Sequence, residues 1–183
     1  MAKVVILGGN ARSGKSTLAY QLIKNGYNRI SFDNIYKAIE EGLNIKMDDL
    51  PNKVKFAFFE NIVNQSIEEA EIEGINTVID MYDFLPSDIV KLQNKDKVLT
   101  YFLAYPSCGL EQIKFNVIHY AKPTDWIAQV NEEYLNLCVE RFYKRNQLLV
   151  EECNKYSLNL IDTQSGKNRD FILNELLDEI IRR

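Results

Sequence analysis

An α/β fold built on a parallel sheet is what this 183-residue chain predicts, and two observations predict it. Short apolar runs alternate with longer stretches of helical period, and a glycine-rich turn joins the first run to the first helical stretch. Parallel neighbours need crossover connections, so this alternation gives a sheet covered by helices on both faces.

The elements follow in order. Lys3–Leu7 reads as a buried strand and Lys15–Asn25 as a helix stopped by Gly26. Asn28–Phe32 is a second strand. Asp33–Glu41 is a helix with Asp33 as its N-cap and Gly42 closing it. Leu50–Glu73 forms a long helix with Pro51 in its first turn and Gly74 beyond its last. Ile75–Asp80 is a third strand and Pro86–Asn94 a short helix. The aromatic and β-branched run Lys97–Ala104 is a fourth strand. Helices at Leu110–Tyr120 and Gln129–Lys155, a strand at Ser157–Ile161 and a helix at Arg169–Arg182 complete the chain. Right-handed crossovers place ligands at the carboxyl ends of parallel strands. Gly8–Thr17, Asp33, Asp80 and the loop from Asp162 to Lys167 all fall there.

Composition bounds the function. With 46% hydrophobic and 26% charged residues the chain reads as one soluble globular unit, residues 1–183. A net charge of −4 without any basic block speaks against a nucleic-acid surface. Cys108, Cys138 and Cys153 are odd in number and form no C-x-x-C pair, which predicts buried reduced thiols and a cytoplasmic setting. Neither a signal h-region nor a run of ~20 apolar residues is present, so no membrane partner is expected. Monomer and homodimer are both compatible with this sequence.

Gly9-Asn10-Ala11-Arg12-Ser13-Gly14-Lys15-Ser16, followed by Thr17, fits G-x-x-x-x-G-K-[ST], the phosphate-binding P-loop or Walker A motif. Its glycines let the backbone curl so that amides point inward at phosphate oxygens. The helix opening at Lys15 offers its unpaired amides and positive dipole end to the anion. Lys15 then reaches the terminal phosphates and the Ser16 hydroxyl binds Mg²⁺.

On these residues the chain resembles the P-loop small-molecule and nucleotide kinases, such as the adenylate, shikimate and gluconate kinases. The likeness is specific at Gly9–Ser16 and looser through the five-strand layout. It implies a three-layer P-loop NTPase fold with strand order 2-3-1-4-5, ATP and Mg²⁺ as cofactors, and an acceptor site over strands two and three. It also implies a mobile lid carrying arginines, placed around residues 110–150, and an adenine flanked by the Asp162–Lys167 loop, with Thr163 and Lys167 as candidate contacts.

Further candidates come from position. A GTPase needs D-x-x-G and N-K-x-D; no later glycine has an Asp three residues before it, and Asn94-Lys95-Asp96-Lys97 puts its Asp one place early. Asp33 is either a helix cap or a group that orients the acceptor hydroxyl, takes its proton or holds a magnesium-bound water. Asp80 ends a strand like a Walker B carboxylate and is a candidate for the metal shell, with Asp83 competing. At ~100° per residue, Arg141 and Arg145 share a face with Tyr134, Cys138, Leu148 and Leu149. Two inward arginines read as a phosphate clamp, or as partners of Glu152. Arg12 either adds a third cation or faces water. His119 reads as structural, and Trp126 and the ten tyrosines mainly as core and cleft lining. Lys122 lies in a candidate lid stretch without clear period.

The resulting expectation is a kinase that moves the ATP γ-phosphoryl group to a small-molecule acceptor: a nucleoside, nucleotide or hydroxylated metabolite. Lys15, Asp33, Arg141 and Arg145 are its catalytic candidates, and Ser16, Asp33 and Asp80 its metal candidates. A nucleotide-binding regulator with vestigial hydrolysis and a toxin-type kinase acting on a nucleotide sugar are the alternatives.

Overall fold

A computed structural model describes residues 3–121, 126–164 and 168–183. Five parallel strands, β1 (Val4–Gly9), β2 (Tyr27–Ser31), β3 (Asn76–Asp80), β4 (Val98–Ala104) and β5 (Asn159–Asp162), form one sheet in the order β2-β3-β1-β4-β5. The helices are α1 (Lys15–Lys24), α2 (Phe32–Leu43), α3 (Asn52–Ile72), α4 (Pro86–Ile89), α5 (Leu110–His119), α6 (Glu132–Tyr156) and α7 (Arg169–Arg182). The fold class and strand order match the expectation. No helix among the described residues is long and apolar enough to cross a membrane.

The central strand explains why no polar alternation marks these strands. Along β1, Val4 and Ile6 face one apolar cluster with Phe32, Phe59, Ile79 and Phe102, while Val5 and Leu7 face the other with Leu18 and Leu173. Both faces are dry, so every position is apolar. A third cluster lies apart from the sheet faces, where Ile113 and Val117 of α5 meet Leu135, Val139 and Phe142 of α6. The three cysteines are buried and unpaired. Of the tyrosines, Tyr27, Tyr36, Tyr101 and Tyr105 are buried, whereas Tyr20, Tyr134 and Tyr143 are exposed.

Several boundaries differ. The α2 helix begins at Phe32 with Ser31 at its N-cap, so Asp33 lies inside the first turn and does not cap it. Burial of the aromatic Phe32 side chain draws it into the helix ahead of the polar residue. Gly42 stays helical, and Asn44, with φ 53°, ends α2 in the left-handed conformation. Pro51 is the N-cap of α3 and does not occupy its first turn. The α4 helix lasts one turn where nine residues were expected. Short 3₁₀ turns at Met47–Asp49, Lys95–Lys97 and Trp126–Gln129 escape a periodicity argument because three or four residues carry no period.

An aromatic nucleus supports the β2–β3 side. Phe59 stacks on Phe84 with ring centroids 4.2 Å apart and meets the Phe32 ring edge-on at 5.4 Å. Phe59 is fully buried. Phe59→Ala should therefore cost about 3–5 kcal/mol, read as a fall in the urea midpoint at unchanged m-value.

Candidate active site

The phosphate loop begins where β1 leaves the sheet. Asn10 donates its amide to the Leu103 carbonyl at 2.9 Å, which continues the β1–β4 ladder one residue past the strand. At Gly9, φ is 126° and an added Cβ would stand 2.0 Å from the Leu103 carbonyl oxygen. Gly14, with φ 98°, would collide with the Leu173 side chain of α7 at 2.9 Å. Only glycine fits either place. The first bond of α1 runs from the Leu18 amide to the Gly14 carbonyl. The amides ahead of it have no partner within the helix.

Buried polar groups hold the loop from behind. The Asn10 side chain is fully buried and donates to the Phe142 carbonyl at 2.7 Å and to Asn146 Oδ1 at 2.8 Å, both on α6. Its own Oδ1 accepts from the Ala11 amide. The Tyr105 hydroxyl donates to the Ala11 carbonyl at 2.8 Å, and Ser13 Oγ donates to the Asn10 carbonyl. Asn10, Ala11 and Ser13 thus shape the loop more than they line it with side chains. Arg12 takes a positive φ of 59° and borders the cavity.

That cavity has a volume of about 460 Å³ and includes Ser13–Thr17 along one wall. Among the described residues Arg12, Lys15, Arg29 and Arg169 border it, and no carboxylate does. Tyr20 and Tyr120 add aromatic faces: the Arg29 guanidinium lies 4.8 Å from the Tyr20 ring centroid and that of Arg169 lies 3.8 Å from Tyr120. Cations gathered beside a glycine-rich loop suit a polyanion, although Arg29 is paired with Asp80 and Arg169 with Asp170.

Lys15 is buried, and its Nζ donates to the Asn10 carbonyl at 2.6 Å. Burial pulls its pKa down to about 8, with the Asp80 and Asp33 carboxylates pulling upward against it. Ser16 Oγ donates to Asp80 Oδ2 at 2.9 Å. The same oxygen accepts from Arg29 Nη2 at 2.7 Å. Asp33 stands at the cleft beside this group. Loss of solvation raises its carboxyl pKa and so does Asp80, while Lys15 and Arg29 oppose the rise. The structure therefore brings Lys15, Ser16, Asp33 and Asp80 together. Asp83 is also raised, chiefly by desolvation and then by Asp33.

The arginine face of α6 requires correction. Its buried stripe runs through Leu135, Cys138, Phe142, Asn146, Leu149 and Cys153, about 80° round from the predicted face. Tyr134 and Leu148 are exposed apolar residues that misdirected the wheel, and Arg141 is exposed as well. Arg145 lies on the flank of the stripe, half-buried, with its guanidinium 4.1 Å from the Tyr82 ring centroid and donating to the Tyr82 carbonyl. Lys15 Nζ lies 5.9 Å from that same ring. Burial lowers the Arg145 pKa, and its Nε has no hydrogen-bond partner. Glu152, the expected alternative partner, accepts instead from the Ser87 amide at 2.8 Å.

Thr163 is not brought to the cavity. It is fully buried, and its hydroxyl and amide both donate to the Ala104 carbonyl, a stitch between β4 and β5. Lys167 and Lys122 lie outside the described residues. Arg29, Arg169, Tyr82, Tyr105 and Asn146 escaped the sequence reading. Each sits in a segment whose period explains it as strand, turn or helix, and only the fold reveals what it faces.

Two measurements test this geometry. Folded Lys15 loses its proton near pH 8 and the unfolded side chain near 10.5. Between those values the unfolded chain holds more protons, so stability rises with pH, by up to ~1.4 kcal/mol per pH unit from this group. Below pH 8 both forms are charged and the contribution is flat. The stability difference between parent and Lys15→Met should show this slope in denaturant titrations at pH 8–10. Asn146→Leu leaves Asn10 Nδ2 with one acceptor and should cost about 1–3 kcal/mol, with Asn146→Asp milder because an acceptor oxygen remains.

No protein-family model matches the chain, and no curated protein matches its sequence. Solved structures do match its fold. A gluconokinase from Sinorhizobium meliloti 1021 superposes with a TM-score of 0.60 at 15% identity, over 99% of this chain and 92% of that one. A shikimate kinase from Acinetobacter baumannii in complex with shikimate gives 0.56 at 16% identity, over 100% and 96%. An unliganded sugar kinase from Janibacter sp. HTCC2649 gives 0.62 at 14% identity, over 97% and 94%. With strand order, phosphate loop and full-length superposition in agreement, the chain has the fold of the P-loop small-molecule kinases.

Proposed function

We propose that this chain is a kinase that moves the γ-phosphoryl group of ATP to a hydroxyl of a small-molecule acceptor. The observation that carries the reading is the phosphate-loop cavity, bordered among the described residues by Arg12, Lys15, Arg29 and Arg169 and by no carboxylate, with Asp33 close enough to Lys15 to feel its charge. Loop amides, Lys15 and Thr17 hold the phosphates. Ser16 and Asp80 offer one hydroxyl and one carboxylate already 2.9 Å apart. Those hard oxygens suit Mg²⁺, which Ser16 and Asp80 would hold. Bound there, the ion would neutralise charge on the phosphates.

In the transfer an acceptor oxygen bonds to the γ-phosphorus as the bond to the β-phosphate oxygen breaks, releasing ADP. The acceptor proton passes to Asp33, whose raised pKa makes it a better base than an ordinary carboxylate. Arg145, fixed on Tyr82 across from Lys15, supplies charge that counts most in the transition state. Arg141, one turn earlier and exposed, joins it when the α5–α6 region closes. The apolar cluster that joins α5 to the first half of α6 supports their moving together. The acceptor is a hydroxylated small molecule, in keeping with the gluconate, shikimate and sugar kinases that share the fold. We assign the chain a cytoplasmic setting on its three unpaired thiols.

ADP release with a panel of nucleosides, nucleoside monophosphates, sugar acids and shikimate tests the reading. One acceptor should stimulate release, and Lys15→Ala should abolish it; equal turnover in variant and parent overturns the proposal. ATP should serve at least as well as GTP. Arg145→Lys should lower turnover by on the order of 10³-fold while ATP binding changes little, since an ammonium cannot reproduce the planar fork. A melting curve beside the assay separates this from lost stability.

A further inference from the structure

Asp80 Oδ2 carries two donors, and one of them has no place in the phosphate-loop motif. Ser16 Oγ reaches it at 2.9 Å and Arg29 Nη2 at 2.7 Å. The bridge is written into the sheet: on neighbouring parallel strands Arg29 pairs in register with Val78 and Ser31 with Asp80. Arg29 and Asp80 therefore share a face on the diagonal, a span that a long side chain crosses. The Tyr20 ring supports the guanidinium from α1, 4.8 Å away. Both side chains are largely buried, 14% and 7% exposed, so this ion pair is not a loose surface contact. Arg29 Nε is nonetheless buried without a hydrogen-bond partner, and the residue borders the phosphate cavity. It is held to Asp80 by one nitrogen and keeps donors in reserve beside the place where phosphates would sit.

We propose that Arg29 is a tethered counter-cation for Asp80, holding the carboxylate that would otherwise take a divalent metal and yielding it only when nucleotide phosphate arrives. A metal ion approaching the nucleotide-free site meets a guanidinium already bonded to the oxygen it needs. A phosphate in the cavity offers Arg29 a new anion and its spare donors a partner, which frees Asp80. The chain then takes up metal together with nucleotide and not before. The proposal rests on the nucleotide reading only for what draws the arginine away; the closed state is in the ion pair itself.

Mn²⁺ alone, followed by its electron paramagnetic resonance signal without nucleotide, tests this. The parent should bind Mn²⁺ weakly, and Arg29→Gln should bind it at least 10-fold more tightly. The double variant Arg29→Gln, Asp80→Asn should return to weak binding. Arg29→Met, which keeps an apolar arm against Tyr20, repeats the test should the glutamine variant fold poorly by circular dichroism. Equal Mn²⁺ affinity in parent and variants overturns the proposal, and so does tight binding by the parent alone. No nucleotide or acceptor enters this experiment, so a chain that never releases ADP would end the functional reading while this result still decided the role of Arg29.

Discussion

The close approach of the Gly9–Gly14 turn to the backbone of β4 and the side chain of α7 is the constraint on which the site depends. A Cβ at Gly9 would stand 2.0 Å from the Leu103 carbonyl, and one at Gly14 would stand 2.9 Å from Leu173. The turn is pressed closely onto the sheet, and its first amides are used within the fold: that of Asn10 meets the Leu103 carbonyl and that of Ala11 meets Asn10 Oδ1. Asn10 reinforces this from the rear: its side chain satisfies two α6 acceptors in a fully buried position, where an unpaired amide would be costly. The loop is thus rigid before any anion arrives, and rigidity is what an electrostatic site needs.

Charge placement follows from that geometry. Lys15 is tucked against the loop carbonyls, depressed in pKa yet drawn toward Asp80 and Asp33. Arg29 and Ser16 converge on one oxygen of Asp80. Tyr82 stands between Lys15 and Arg145, its ring in reach of both. Lys15, Asp33 and Asp80 come together beyond the ends of β1, β2 and β3, and Arg12, Arg29 and Arg169 join Lys15 along the cavity. Desolvation raises the pKa of both Asp33 and Asp83, with Asp80 adding to the rise at Asp33 and Asp33 adding to that at Asp83.

The same network ties the phosphate loop to α6. Asn146 receives Asn10 and also bonds the Tyr105 backbone, while the Tyr105 hydroxyl returns to Ala11. Arg145 is the residue before Asn146, so the helix turn that clamps the loop also aims the arginine. A shift of α6 against the sheet would be felt at both places. This coupling gives physical content to the proposed closure of the α5–α6 region over a bound nucleotide.

By itself the sequence determined the strand–loop–helix at Gly8–Thr17, the five strands and their parallel arrangement, and Asp33 and Asp80 at strand ends. Local chemistry accounts for these: a phosphate loop needs glycine, lysine and hydroxyl at set spacing, and a strand buried on both faces must be apolar throughout. Tertiary structure alone decided which side of α6 is buried. Tyr134 and Leu148 weigh as much as Leu135 and Phe142 in a helical wheel, and only the packing partner distinguishes them. It also decided that Thr163 closes a sheet and does not line the cavity, that Ser31 and not Asp33 takes the N-cap position of α2, and that Arg29 meets Asp80. Arg29 and Asp80 are 51 residues apart in the chain. Spacing along a sequence reports neighbours within one element, whereas contacts across strands depend on register, and register exists only once the sheet has formed.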